Sequence, residues 1–203
     1  NSDPDKLSWY PKAAASYRLT SMPGPVDEFK LRFAFGQSGN QPRYGQKFTN
    51  LGSSQIDGLG TFSQGGNIAA KDLRPERQRE LEGGVDATLF RSRANVELTV
   101  YEKTITDLLL DRALAPTTGF SQERFNGGTL RTRGLEATLN LIPLQTATST
   151  WNTRLTFAKS LSKVTKLPVP AFQRSVYQTG AFWIREGESP TALWGNDTVP
   201  GSF

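Results

Sequence analysis

The sequence predicts an all-β chain of antiparallel, up-and-down strands that form part of a transmembrane β-barrel. The first observation is strict alternation. From Arg93 to Tyr101, Ala94, Val96, Leu98 and Val100 fall on one face, and Arg93, Asn95, Glu97, Thr99 and Tyr101 on the other. Gly134 to Leu141 repeats it, with Leu135, Ala137, Leu139 and Leu141 against Glu136, Thr138 and Asn140. The second is the rhythm of connections, short and long in turn, as in barrels with short turns at one end and long loops at the other. The third is strand length, roughly twelve residues where soluble strands average about 5–6. Alternation alone would also suit a soluble sandwich; the loop rhythm and the strand length favour a barrel.

The elements follow in order. A first strand is expected over about Trp9–Thr20, with Ala13, Ala15, Tyr17 and Leu19 on one face and a Pro/Gly turn, Ser21-Met22-Pro23-Gly24-Pro25, to end it. The second covers about Phe29–Gln37, where Leu31, Phe33 and Phe35 oppose Lys30, Arg32 and Ala34. A long polar connection rich in Gly, Ser, Gln and Asn runs from Ser38 to about Lys71. The third strand, about Arg79–Phe90, turns tightly at Arg91-Ser92 into the fourth, about Arg93–Leu110. A loop with Pro116, Gly119, Asn126, Gly127 and Gly128 precedes the fifth, about Thr129–Ile142; Pro143–Thr150 turns the chain into the sixth, about Trp151–Val164. Beyond Leu167-Pro168 an irregular stretch is expected. The segment Leu73–Gly84 suits a short exposed helix as well as a strand, because a Pro stands near its start and a Gly pair at its end.

Composition excludes several classes. The chain has 203 residues with a 36% apolar share and a mean hydropathy of -0.47. No run approaches the roughly 18–20 apolar residues of a spanning helix, which leaves open a barrel whose lipid face uses every second residue. With no Cys and no His there is no thiol chemistry, and the commonest general base and metal ligand are missing. The net charge of +5 is scattered, apart from Arg74–Arg79 and Arg131–Arg133, rather than gathered into the stripe of a nucleic-acid binder. Gly36-Gln37-Ser38-Gly39-Asn40 lacks the Lys-Ser/Thr ending of a phosphate loop and reads as a strand running into a loop.

No catalytic pair, metal site or cofactor site is expected. Arg32, Asp86, Asn95, Glu97, Glu136, Asn140 and Arg154 occupy polar faces, and a barrel lumen that is wet or plugged tolerates them. The interface-girdle residues are expected among Trp9, Tyr10, Tyr17, Tyr101 and Trp151. Tyr44, Phe48, Phe62, Phe120, Phe125, Trp183 and Trp194 fall in long loops. They either pack those loops together or line an external ligand site, where aromatic faces stack on sugar rings or apolar side chains.

An ordered series of motifs then carries a resemblance. It comprises Trp9-Tyr10-Pro11, Leu31 to Asn40, Leu73-Arg74-Pro75-Glu76, Glu80 to Asp86, Tyr101-Glu102-Lys103 with Thr106 to Leu109, Asn126-Gly127-Gly128, Arg133 to Glu136, Trp151-Asn152-Thr153 and Ser162 to Leu167. In these motifs the chain resembles the barrel region of TonB-dependent outer-membrane transporters of the SusC/RagA type, over about Leu7 to Gly195. The resemblance implies that Leu73–Gly84 leads into a barrel strand. It also implies that residues 1–203 are a fragment of about six strands from a barrel of roughly 22, with signal peptide, plug and barrel C-terminus lying outside it. The ends agree: Asn1-Ser2-Asp3-Pro4 carries no leader pattern and no alternating strand precedes Phe203.

The implied function is energised import of a bulky nutrient, an oligosaccharide or a peptide, across the bacterial outer membrane. The implied partners are a SusD-like surface lipoprotein, the TonB complex acting through the missing N-terminal part, and outer-membrane lipid, with no nucleic acid. The Asn196-Asp197-Thr198 sequon carries no weight in a bacterial setting. Two rivals remain at this stage. A passive porin shares all the strand physics and would lack the plug. A soluble β-sandwich binding module would turn its apolar stripes towards one another in a closed core.

Overall fold

Alternating side chains make each strand two-faced, and antiparallel pairing sums those faces over a whole sheet. The computed structural model describes residues 8–195 apart from 21, 23, 44, 50, 65, 69, 71, 178 and 179. In chain order the strands are β1 (Lys12–Thr20), β2 (Val26–Asn40), β3 (Leu51–Ile56), β4 (Leu59–Gln64), β5 (Asn67–Ile68), β6 (Glu76–Leu89), β7 (Ala94–Thr106), β8 (Leu109–Ala113), β9 (Gln122–Asn126), β10 (Thr129–Gln145), β11 (Thr150–Lys166), β12 (Phe172–Tyr177), β13 (Gly180–Ile184) and β14 (Leu193–Trp194). A 3-10 turn at Pro116–Thr118 separates β8 from β9.

Six long strands form one antiparallel sheet in the order β1-β2-β6-β7-β10-β11. They are the six strands expected from the alternation, and Leu73–Gly84 leads into one of them rather than forming a helix. The sheet is open, with β1 and β11 at its edges. The connections β1–β2, β6–β7 and β10–β11 are short, whereas β2–β6 and β7–β10 carry β3 to β5 and β8 to β9 at the opposite end.

Register fixes which side chains share a face. Across the sheet Leu19, Phe29, Ala87, Val96, Leu139 and Leu155 stand in one row, and Tyr17, Leu31, Val85, Leu98, Ala137 and Phe157 in the next. Such rows build an apolar band, interrupted on β11 by Lys159, which stands opposite Leu135. On β6 it runs from Leu81 to Leu89, about 26 Å along the strand. At a barrel tilt of about 40° that is about 20 Å of depth, close to the outward apolar band of an outer-membrane barrel.

Among the described residues no layer covers this band. Phe33, Val100 and Phe157 are 51%, 52% and 55% exposed, and the buried apolar residues are Leu73, Ala94, Val164, Ala181 and Ile184, none at the middle of the band. A sandwich would bury the same stripes against a second sheet. The uncovered band therefore removes the sandwich reading and leaves the barrel wall.

Several boundaries differ from expectation, each for a physical reason. β2 extends from Val26 to Asn40 because residues beyond the apolar stretch still pair, with Asn40 opposite Glu76. The expected fourth strand breaks at Asp107, whose φ of 54° turns the chain, and Leu109–Ala113 pairs instead with β9 in a separate sheet. The stretch after Leu167-Pro168 is not irregular: β12, β13 and β14 form a three-stranded sheet. β3 and β4 form a hairpin across Asp57-Gly58, where both residues adopt positive φ. Tyr101 does not join an outward girdle. Parity puts it on the polar face, opposite Gly134, where its ring fills the space a Cβ would take.

Candidate binding wall and mouth

The polar face is organised by Arg32 on β2. Its Nε and Nη2 each lie 2.9 Å from Asp86 Oδ1, Nη1 lies 3.5 Å from Glu82 Oε1, and Nη2 donates to Thr99 Oγ1 at 3.1 Å. Lys30 Nζ adds a second cation 3.4 Å from Asp86 Oδ2. The reach from β2 to Thr99 on β7 crosses β6 at Gly84, which stands opposite both Arg32 and Thr99. A Cβ at Gly84 would meet the guanidinium at 2.9 Å, so the missing side chain is what lets Arg32 cross.

Asp86 also stands opposite Glu97, a like-charge pairing offset by Arg32 and Lys30. Farther along the same face Thr88 Oγ1 donates to Asn95 Oδ1 at 3.0 Å. Asn95, Asn140 and Arg154 share one row, and Glu136 stands opposite Thr99. Glu97, Glu136, Asn140 and Arg154 make no side-chain ion pair or hydrogen bond among the described residues, so this half of the wall offers unengaged donors and acceptors. All seven polar positions expected from the sequence thus share one face: Arg32, Asp86 and Asn95 are engaged, and the other four are not.

The long connections and the segment after β11 build the mouth from three small sheets. Asn126 ties the β5-β9-β8 sheet to the wall: Arg74 N–H donates to its Oδ1 at 2.6 Å, and its Nδ2 donates to Arg74 O at 2.7 Å and Asp107 O at 2.9 Å. Glu76 Oε1 accepts from Leu109 N–H at 2.7 Å. Two motifs far apart in sequence, Leu73 to Glu76 and Asn126 to Gly128, therefore meet at the rim. β8 and β9 carry facing charges, with Arg112 donating to Glu123 at 2.8 Å and Arg124 paired through two nitrogens with both Asp111 oxygens. The hydrogen bond to Asp111 raises the Arg124 pKa above its ordinary value, against partial desolvation.

The loop aromatics separate into groups. Phe125 on β9 meets Phe172 on β12 edge-on at 6.2 Å, and the Arg112 guanidinium lies 5.4 Å from the Phe125 ring centre. On β13 and β14, Trp183 and Trp194 contact one guanidinium, that of Arg185, at 4.9 and 4.2 Å. Arg185 Nε is buried without a hydrogen-bond partner, so this cation is held by ring faces. Phe62 on β4 and Phe48 in the preceding connection are exposed and stand apart from both groups; Phe120 follows the 3-10 turn and is half-buried. Tyr44 lies outside the described residues, as does Asn196-Asp197-Thr198.

Sequence reasoning missed Arg112, Phe172 and Arg185, because the strands that bring them to the aromatics lay in segments read as loops. The signal present was the interleaving of Arg with aromatics at Arg112, Arg124-Phe125 and Trp183 to Arg185. Chemically, the mouth offers flat aromatic faces beside guanidinium and carboxylate groups, suited to stacking and to short polar contacts. Among the described residues no cluster of three or more Asp or Glu is arranged for a metal ion.

Comparison with known proteins follows the same lines. The family described as TonB dependent receptor-like, beta-barrel, matches residues 1–201. The curated protein TonB-dependent receptor P26 of Formosa agariphila is 29% identical over 175 residues, covering 82% of this chain and 18% of its own length. TonB-dependent receptor P39 of the same organism is 30% identical over 178 residues, covering 85% of the chain and 16% of its own length. The chain thus spans about a fifth or less of these relatives. Among solved structures, the RagAB peptide transporter superposes with a TM-score of 0.75 at 18% identity, over 85% of this chain and 20% of that one. The siderophore receptor PirA of Pseudomonas aeruginosa gives 0.51 at 20% identity, over 75% and 28%. These structural likenesses concern the fold.

Proposed function

Because this chain belongs to the TonB-dependent receptor-like β-barrel family, whose place is the bacterial outer membrane, we propose that it supplies six wall strands and mouth loops of an energised importer. The cargo is a bulky nutrient, a peptide or an oligosaccharide. A plug and a TonB-contacting segment belong to the rest of the receptor, and a SusD-like lipoprotein delivers cargo to the mouth. Residues 1–203 act as one partial barrel domain.

The observation that carries this reading is the pairing of aromatic faces with guanidinium groups at the long-loop end, above a wall whose polar face keeps Glu97, Glu136, Asn140 and Arg154 unengaged. Flat rings at the mouth suit sugar rings and apolar peptide side chains alike. Free donors and acceptors along the wall suit a polar cargo moving past it. TonB pulling on the plug would open that path.

The test uses the full-length receptor in its own host. Growth on a peptide or glycan source should fail when TonB is removed, and Trp183→Ala with Trp194→Ala should weaken cargo binding about tenfold or more while the receptor still reaches the outer membrane. Uptake that persists without TonB would favour a passive pore and refute the proposal.

A further inference from the structure

Parity sends a second set of charged residues to the face opposite the binding wall. On β6 the apolar band uses Leu81, Gly83, Val85, Ala87 and Leu89, so Arg77 and Arg79 share that outward face. By the same parity Arg131 and Arg133 on β10 and Lys163 on β11 also face outward, beside Glu102 and Thr104 on β7. Register aligns Arg79, Thr104, Arg131 and Lys163 in one row over four adjacent strands, and Leu81, Glu102, Arg133 and Leu161 in the neighbouring outward row nearer the band. Arg77, opposite Thr106, stands one outward row farther out. At about 4.8 Å between strands the patch is about 14 Å wide.

Five cations face one carboxylate there. Glu102 engages Arg133 at 2.7 Å and Arg131 at 3.7 Å, whereas the side chains of Arg77, Arg79 and Lys163 have no ion pair or hydrogen bond among the described residues. Arg77, Arg79, Arg131, Arg133 and Lys163 are all exposed. Of the carboxylates on the loop bordering β11, Glu186 is taken up by the Leu167 N–H at 3.1 Å. The patch adjoins the apolar band on the side of the long connections. A ligand fitted to both would be an amphiphile with acyl chains along the band and an anionic head at its edge.

The geometry points to a docking site for the phosphorylated headgroup of an outer-leaflet glycolipid, held by Arg77, Arg79, Arg131, Arg133 and Lys163 on the outside of the wall. Guanidinium forks match phosphate oxygens in pairs, and the desolvated edge of a membrane weakens such contacts less than open water does. This inference rests on the outer-membrane orientation, with the long connections outside. It is independent of what the receptor imports.

The test reconstitutes the full-length receptor in nanodiscs of phosphatidylcholine doped with lipid A and measures bound lipid A by native mass spectrometry. Combined Arg79→Gln, Arg131→Gln and Lys163→Gln should reduce retention at least tenfold, while Arg79→Lys with Arg131→Lys retains most of it. Phosphatidylcholine retention should stay unchanged, which separates a lost headgroup site from a misfolded wall. Undiminished lipid A in the Gln variant would overturn the inference, and so would equal loss of both lipids. Displacement of lipid A by millimolar inorganic phosphate would also overturn it, assigning the patch to a free anion. Orientation is read separately, by labelling Ser53→Cys on whole cells with a membrane-impermeant maleimide; absence of labelling would put the patch at the wrong leaflet and sink the choice of lipid.

Discussion

Substituting Arg for Leu98 tests the two-faced wall most directly. Leu98 points outward, between Val85 and Ala137 in its row and between Val96 and Val100 along its strand, well inside the apolar band. Leu98 is 40% exposed, with no second protein layer over it among the described residues, so in a barrel wall it faces lipid. A cationic side chain near the midplane of an outer-membrane barrel costs about 2–4 kcal/mol. At about 1.4 kcal/mol per tenfold, that is about 30- to 700-fold in the folded-to-unfolded ratio. Glu97, one residue away, faces the other side and stands opposite Asp86. Glu97→Arg replaces a like-charge pairing with an opposite one, so its cost should be about zero or slightly favourable. The assay is the fraction of full-length receptor folded into phospholipid vesicles across a denaturant series. Equal losses in the two variants, or no loss in Leu98→Arg, would refute the assignment of faces.

Three further outcomes follow from particular contacts. Gly134→Val drives a side chain into the Tyr101 ring and should cost about 1–3 kcal/mol in the same assay; Tyr101→Ala in that background should recover most of it, and failure to do so would place the strain elsewhere. Asn126→Ala removes three hydrogen bonds at the rim and should loosen the mouth by about 1–2 kcal/mol, read as faster hydrogen exchange at Arg74 with the six-stranded sheet unchanged. The isolated 203-residue piece exposes two unpaired strand edges and the whole apolar band, so it should aggregate without detergent; a monodisperse monomer in plain buffer would contradict the barrel-wall reading.

The wall was legible because its physics is local and periodic. Leu31-Arg32-Phe33-Ala34-Phe35 and Ala94 to Val100 declare their two faces without any knowledge of neighbours, and antiparallel pairing only had to add them up. The mouth was legible in composition but not in arrangement. Phe125, Trp183 and Trp194 were picked out as long-loop aromatics, yet their grouping depends on β12 pairing with β13, on Arg112 within β8 and on Arg185 just after β13, strands of five residues that are too short to show periodicity. The end of the fourth strand was missed for a comparable reason. Leu108 to Leu110 looks like a continuation, and only the positive φ at Asp107 diverts it. The outward basic row was half visible as Arg74–Arg79 and Arg131–Arg133; their convergence with Lys163 needs the register.

The period of two that builds the wall also makes it intolerant of a change in chain length. One residue inserted between Leu81 and Leu89, or between Ala94 and Val100, would exchange grease for charge along the remainder of that strand. The segments between β2 and β6 and between β7 and β10 carry no such constraint, because their small sheets pair among themselves at one end of the molecule. Insertions and deletions should therefore be tolerated best at the end of the long connections. The wall serves as a fixed ruler, and the connections at its end can change length without resetting the marks.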